Sequence, residues 1–398
     1  MEKRKILFVL EGFSNLSEAN AICVNDIIIE LNYMGVNCTV ISVENSVTSN
    51  LNNIITCEYS YSSKKNKYLR MITKLIFMPI GRLQLVREIQ KKIDVLLKND
   101  EYAALIAVIN PVESAEAVKN SLKKFNKVKS ILYEIDPASN RYKNPKNIFE
   151  KYAKYRSIKW EKRIYSIFDV VVHMETHREH FSNLFNNLFV EKTVFWDIPS
   201  LKVNILKKKT HEQNNPFVFL YAGAFYPKLR NPDRMIEIFI ELIKTYAIDF
   251  KLEIYTGSNM FSHIEELIYG FEDNISVHHY IKQDELNEVI CNADVLVDLG
   301  NSDSDFLPSK PFHYMGTGKP IIHFSPDRND VSLDYIKKYN NSLIIDQNSN
   351  DKDILTSILA FLNSLNQRCL PEKEELEMTF EKNTAKYTAR RIVDLLNG

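Results

Sequence analysis

Twice along this chain, short apolar runs of strand type alternate with longer stretches of helical period, a pattern that leaves parallel sheets with crossover helices as the available architecture. In the first half the strands fall at KILFVL (5–10), NCTVISV (37–43), ALIAVI (104–109), KSILYEI (129–135), DVVVHM (169–174) and KTVFW (192–196). A helix from about Glu18 to Met34 joins the first two, with Gly35 as its left-handed C-cap. Between 201 and 216, LKVNILKKKTHEQNNP loses apolar periodicity and gathers Lys, Asn and Pro, which marks a linker. The alternation restarts at FVFLYAG (217–223), FKLEIYTG (250–257), NISVHH (274–279), ADVLVDLG (293–300), KPIIHF (319–324) and SLII (342–345). Helices are expected over Asp233–Ile243, Phe261–Tyr269, Gln283–Cys291 and Lys310–Met315. The expectation is an α/β protein: two Rossmann-like, doubly wound parallel-sheet domains facing a cleft, with ligands outside the carboxyl ends of the strands. The domains fall at 1–205 and 206–375, and a helical segment with no strand to pair with, 376–398, crosses back to the first.

Several function classes are excluded at this level. The 51 basic residues balance 51 acidic ones, so a dedicated nucleic-acid binder is not expected. Cys23, Cys38, Cys57, Cys291 and Cys369 form no C-x-x-C pair, which argues against a zinc ribbon or disulfide framework and fits a reducing cytoplasm. The start, MEKRKILFVLEGF, is too short in apolar residues for a signal peptide or a membrane span, and no other stretch approaches one. A cytoplasmic protein is expected, with contact on the inner face of the cell membrane left open. No G-x-G-x-x-G and no G-x-x-x-x-G-K-[ST] follows a strand, which removes nicotinamide dehydrogenases and P-loop hydrolases.

The stretch DFLPSKPFHYMGTGKP (305–320) carries the sharpest chemical signal. Ser309 reads as an N-cap and Pro311 sits in the first turn, so Lys310 stands at the positive end of a helix, a poor position unless an anion is brought there. The alternative is a surface lysine that bends into water. A second cationic loop follows FLYAG: Lys228 and Arg230 precede Asn231, an N-cap with Pro232 behind it. Both loops lie at carboxyl edges of one domain, which favours a single diphosphate held jointly.

In the first half, ILYEIDP ends a strand with Glu134 and Asp136 on one side. Either acid suits proton transfer or stabilisation of positive charge, and either suits a plain turn. His173, His177 and His180 lack a third oriented ligand, since only the last two share a helix, so no metal is expected. From Lys64 to Lys92 there are nine Lys or Arg and one acid, Glu88, with Ile72, Leu75, Ile76, Leu83, Val86 and Ile89 roughly in helical register. That stretch fits an anionic membrane surface or a domain helix with a basic solvated face.

On these residues the second half resembles the nucleotide-binding domain of the large retaining family of GT-B glycosyltransferases that carries an E-x7-E motif. The variant PSKxFEYMxTGKPII is similar to PSKPFHYMGTGKPII here, with the two glutamate positions occupied by Asp305 and His313, and close motif likeness covers about 221–232 and 300–322. The resemblance implies that His313 bonds the nucleotide ribose, that Asp305 addresses donor-sugar hydroxyls, and that Lys228 and Arg230 hold the diphosphate. It places Tyr280 near the base, Gly12 in the acceptor-side loop, and Glu134 or Asp136 opposite the reacting carbon. A common GR reads GA here, with Ala224 uncharged, and imidazole accepts fewer hydroxyl hydrogen bonds than a carboxylate, so a buried core histidine is the other reading of His313. The implied activity is transfer of a sugar from a nucleotide-diphosphate donor, with a UDP-sugar favoured, to a glycan or lipid-linked hydroxyl acceptor in bacterial surface polysaccharide or glycoconjugate assembly. It needs no cofactor and no metal, and it retains anomeric configuration. A non-catalytic partner subunit and a sugar-nucleotide epimerase share the architecture.

Overall fold

The computed structural model describes residues 4–13, 19–44, 54–58, 75–109, 111–186, 188–206, 216–246, 249–257, 260–302 and 307–397. The chain forms two compact units, Met1–Pro199 with Lys382–Gly398, and Ser200–Glu381. In the first unit the order is β1 (Lys5–Glu11), α1 (Ala19–Tyr33), β2 (Asn37–Glu44), β3 (Ile54–Glu58), α2 (Leu83–Asn99), β4 (Ala104–Ile109), α3 (Val112–Leu122), β5 (Lys129–Glu134), α4 (Ile148–Ile167), β6 (Val170–Met174), α5 (Arg178–Phe185) and β7 (Thr193–Trp196). Its sheet runs β3-β2-β1-β4-β5-β6-β7 with every pairing parallel.

Alternation along β1 shows why both faces are covered. Leu7 and Val9 join a core with α2 and α3, while Ile6, Phe8 and Leu10 join one with α1 and the last helix. Gly35 adopts φ +82 after α1, where Val36 N–H donates to Leu31 O at 3.0 Å, the left-handed cap expected of it. The edge strand β3, IITCE, is legible only in the fold, because five residues with a terminal acid carry too brief an apolar pattern. The helix α2 buries Leu85, Val86, Ile89 and Ile93 in the core, so its apolar side faces protein while its lysines face solvent. Residues 64–74 of the basic stretch lie outside the described residues.

The second unit follows the same logic. Its elements are β8 (Phe217–Ala222), α6 (Asp233–Thr245), β9 (Phe250–Tyr255), α7 (Phe261–Leu267), β10 (Ile275–His278), α8 (Gln283–Asn292), β11 (Val295–Leu299), α9 (Lys310–Met315), β12 (Ile321–Ser325), α10 (Leu333–Ile336), β13 (Ser342–Asp346), α11 (Asp351–Ser364) and α12 (Lys373–Thr379). The parallel sheet runs β10-β9-β8-β11-β12-β13, so the strand order reverses between β8 and β11. Such a reversal is where doubly wound sheets place a ligand crevice, outside the carboxyl ends of the two strands. The final helix, α13 (Ala385–Asn397), belongs to the first unit and places Ala389 and Ile392 against the α1 side of its core. Among the described residues no helix is long and apolar enough to cross a membrane.

Candidate functional site

At the β8/β11 crevice the two cationic loops are tied together by the backbone. Tyr226 and Arg230 bridge across a tight turn, and Arg230 N–H donates to Tyr226 O at 2.7 Å. The turn is clipped to the loop after β11, because Ser302 N–H donates to Leu229 O at 2.9 Å and its hydroxyl donates to Lys228 O at 2.8 Å. Asn301, itself buried, accepts from Arg230 Nε and an η nitrogen at 3.1 and 2.9 Å. That fork fixes the guanidinium plane and leaves other N–H groups for a ligand. Asn231 Oδ1 accepts from Asp233 N–H at 3.0 Å, so the expected cap starts α6.

Lys310 enters the same crevice. Although the residue as a whole is partly exposed, Nζ is out of contact with solvent and has no hydrogen-bond partner. Its tip lies 3.7 Å from the Tyr221 ring centroid, and Tyr221 in turn stacks on Phe225. The ammonium gains cation–π attraction there, which does not replace three lost hydrogen bonds to water. Burial pushes its pKa well below the ordinary value of 10.5, with the Arg230 charge adding to the push and Asp298 opposing it. A Cβ at Gly223, where φ is +155, would sit 2.3 Å from Lys310 Nζ, so a side chain there would displace the lysine tip from its path across the end of β8. Tyr314 of α9 accepts from Ala222 N–H at 3.0 Å and anchors that strand end from below. Ser309 is helical and makes no side-chain cap, contrary to the reading of it as an N-cap, and α9 has only six residues. Positive potential here comes from the side chains and not from a helix start.

Behind the cations lies a buried group that sequence reasoning did not identify. On neighbouring strands, Asp298 of β11 is the register partner of His323 of β12. His323 Nδ1 is 2.8 Å from Asp298 Oδ2, and Nε2 is 2.8 Å from Asp330 Oδ2. All three are essentially without solvent exposure. The two carboxyl groups overcome burial and raise the His323 pKa to about 9, and His323 together with Lys310 and Arg230 holds Asp298 below its usual value. A Cβ at Gly300 would meet Asp330 Oδ2 at 1.8 Å, which leaves glycine as the residue that admits this carboxyl. The available signal was an Asp and a His inside strands that are otherwise continuous apolar runs, VLVDL and IIHFS.

Other expected site residues lie in varied surroundings. Tyr280 is exposed and packs its ring on the backbone of Gly257, close enough to Tyr226 and Arg230 for both to act on its hydroxyl. Lys228 is exposed on the turn. His313 is also exposed, which overturns the reading of it as a core histidine: it stands on the face of α9 opposite Phe312 and Met315, which are buried. Asp305 lies outside the described residues. The structure thus brings Arg230, Lys310 and Tyr280 to one strand edge of the second unit.

In the first unit, Gly12 adopts φ +69 and its N–H donates to Val43 O at 3.1 Å. Glu134 has no exposed surface. Its Oε2 accepts from the Tyr165 hydroxyl at 2.6 Å and stands 2.7 Å from His173 Nδ1, while Glu161, raised well above the usual carboxyl range by burial and by Glu134, accepts from Ser139 N–H at 2.7 Å. Asp136 is exposed, with the crowding around it and then Glu134 moving its carboxyl upward. Of the two acids at this strand end, Asp136 is the one open to a substrate. His180 Nε2 lies 2.9 Å from Ser139 Oγ, and among the described residues no group of three or more His, Cys, Asp or Glu is arranged to hold a metal ion. Burial raises the thiols of Cys38 to about 12 and Cys57 to about 11, as expected of inert core cysteines.

Residues 203–384 match the family described as "Glycosyl transferases group 1". Over nearly the whole chain the structure is similar to lipopolysaccharide outer core galactosyltransferase WaaB in its apo form, at 14% identity with 98% of each chain covered and a TM-score of 0.58. It is similar to sucrose-phosphate synthase (tll1590) from Thermosynechococcus elongatus, at 12% identity, 99% and 98% coverage and a TM-score of 0.66. It is similar also to WaaG, a glycosyltransferase involved in lipopolysaccharide biosynthesis, at 11% identity, 99% and 100% coverage and a TM-score of 0.60. No curated protein matches in sequence. At such identities the solved structures speak for the fold. The chain has the two-domain, Rossmann-like GT-B fold, and its second unit carries the group 1 glycosyltransferase match that supports a place among the GT-B glycosyltransferases.

Proposed function

We propose that this protein transfers a sugar from a nucleotide-diphosphate donor, with a UDP-sugar favoured, to a hydroxyl on a glycan or lipid-linked acceptor, retaining configuration and using no metal. One observation carries the reading: Lys310 Nζ is buried without a hydrogen-bond partner beside Arg230, at the point where the strand order of the second sheet reverses. Burying an unpaired cation is costly, and the group that relieves the cost is an anion. A diphosphate fits, because Arg230 offers a fixed fork and Lys310 a point charge on one strand edge. As the donor's sugar–oxygen bond breaks, negative charge grows on the leaving diphosphate, and these cations stabilise it where a metal ion serves in other transferases. Lys228 adds charge from the turn, Tyr280 offers a ring to the base, and Ser309, His313 and Asp305 are assigned to ribose and sugar hydroxyls. Asp136 is assigned to the acceptor's proton.

The acceptor's setting is drawn from the first unit. Arg141, Lys143, Lys146, Lys151, Lys154, Arg156 and Lys159 face a single acid, Glu150, within residues 141–160 of a chain that is neutral overall. At the start of α4, Ile148 and Phe149 are exposed beside Leu75 and Ile76, with which they line a shallow apolar groove. Exposed apolar side chains within so basic a stretch suit the anionic headgroup region, each cation contributing about 1 kcal/mol near the surface. We assign the protein to bacterial surface glycoconjugate assembly on this basis, working at the inner face of the membrane.

Thermal-shift measurements against a panel of nucleotide sugars test the donor half. One member is expected to raise the melting temperature of the wild type and not of Lys310→Met, whereas indifference to the whole panel would sink the reading. Ala224, and Asp305 and His313 at the two glutamate positions, keep a second reading open, a non-catalytic partner subunit. Slow release of nucleoside diphosphate from the bound donor distinguishes the enzyme from that partner, and isomerisation of the donor with no acceptor present would identify an epimerase instead.

A further inference from the structure

Beneath the crevice, the Asp298–His323–Asp330 group forms a second layer of charge that the donor reading does not use. His323 comes from the middle of a buried strand, and each ring nitrogen meets a carboxyl oxygen at 2.8 Å. A neutral imidazole has one N–H and satisfies one such contact, whereas an imidazolium donates to both at once. Asp330 is locked from the other side: its Oδ1 accepts from Ser332 N–H at 2.9 Å, and its Oδ2 packs against the bare Cα of Gly300. Asp298 spends Oδ2 on His323, while its Oδ1 is buried with no hydrogen-bond partner. The other charged groups acting on Asp298 are Lys310 and Arg230, and the tyrosines nearest them, Tyr221 and Tyr314, are kept neutral by burial.

Lys310 Nζ and Asp298 Oδ1 therefore sit in one buried neighbourhood, both without a hydrogen-bond partner, and Asp298 favours the charge on the amine that burial and Arg230 oppose. Two such groups close into an ion pair unless something else holds one of them. We propose that His323 is a positioning residue for the anion site: clamped by Asp298 and Asp330, it satisfies Asp298 from behind and so leaves Lys310 and Arg230 directed at a bound diphosphate. This rests on the donor reading given above. In the absence of the imidazolium, Asp298 becomes the nearest anion for Lys310, competes with the phosphate, and lowers affinity without touching the ligand. Asp330 acts one step further back by holding His323 in its charged form.

Calorimetric titration of the full chain with UDP, GDP, ADP and inorganic pyrophosphate tests this. The wild type is expected to bind at least one nucleoside diphosphate. His323→Gln, of similar reach and no charge, is expected to bind it about tenfold more weakly or worse. Asp330→Asn is expected to match the wild type near neutrality and to lose affinity before it does as pH rises toward the His323 value of about 9. Nitrogen-15 NMR of the imidazoles gives a readout that simple packing does not move: both His323 ring nitrogens are expected to be protonated in the wild type at neutral pH, with loss of that state at lower pH in Asp330→Asn. Undiminished UDP binding by a folded His323→Gln, or a neutral His323 in the wild type, overturns the positioning role alone. If His323→Gln does not fold, identical pH profiles for wild type and Asp330→Asn overturn it. Failure of the wild type to bind any of the four probes overturns the donor reading, and this role with it.

Discussion

The two units place the same pair of residue types on adjacent parallel strands and obtain different things from them. In the first, Glu134 of β5 is the register partner of His173 of β6; in the second, Asp298 of β11 is the register partner of His323 of β12. Both pairs are fully buried, with side chains 2.7 and 2.8 Å apart. What differs is the lid. Around Glu134 and His173 the neighbours are Tyr165, Phe181 and Phe195, with His173 stacked on Phe195 and edge-on to Tyr165, and a second buried acid, Glu161, whose carboxyl burial and Glu134 push upward. Around Asp298 the neighbours are Lys310 and Arg230, one of them a buried cation without a partner. Aromatic rings and a second acid wall the first pair into the core, whereas two basic side chains stand beside the second. An acid and a histidine on adjacent strands are therefore weak indicators of function until their surroundings are known.

The comparison breaks most readily at Lys310. Lys310→Met is expected to lower donor binding or turnover about a hundredfold while leaving the melting temperature unchanged or higher, because a buried unpaired cation is removed along with the ligand contact. Loss of both activity and stability would show that Lys310 is structural like Glu134. The converse substitution, Glu134→Leu, strands His173 and the Tyr165 hydroxyl in the core and is expected to cost about 3 kcal/mol by urea denaturation, with nucleotide affinity unaltered. Gly300→Ala forces Asp330 away from His323 and is expected to cost about 2 kcal/mol while weakening nucleotide binding, so stability and function move together in the second unit alone.

A pH titration sharpens the contrast further. The His323 pKa rises from 6.5 to about 9 on folding, so its contribution to stability is fully present below 6.5 and is lost as pH rises through about 9. Denaturation midpoints are expected to fall across that window in the wild type and to fall less in His323→Gln. The smallest expected effect serves as a floor: Asn147 caps α4 by accepting from Glu150 N–H at 2.9 Å, and Asn147→Ala is expected to cost about 1 kcal/mol with no change in donor binding.

Much of this molecule was legible beforehand because its strands are buried on both faces and read as apolar runs, ALIAVI and FVFLYA among them, while Gly35 caps α1 in the left-handed conformation that favours glycine. The cationic loops at Lys228–Arg230 and at Lys310 were legible too, since a charge beside a helix start stands out locally. Hidden from sequence were β3, too short to show a period, and the depth of each polar residue. His313 and His323 lie ten positions apart in DFLPSKPFHYMGTGKPIIHF, and only packing exposes the first and buries the second between two carboxyl groups. Periodicity records which face of an element is apolar, and so the chain by itself marked out every strand but β3 and the alternation with helices that makes the sheets parallel. Charge acts through space and depends on burial, so the tertiary structure alone decided which histidine is clamped, which acid is sealed, and that the Lys310 tip is buried beside Arg230 and Asp298.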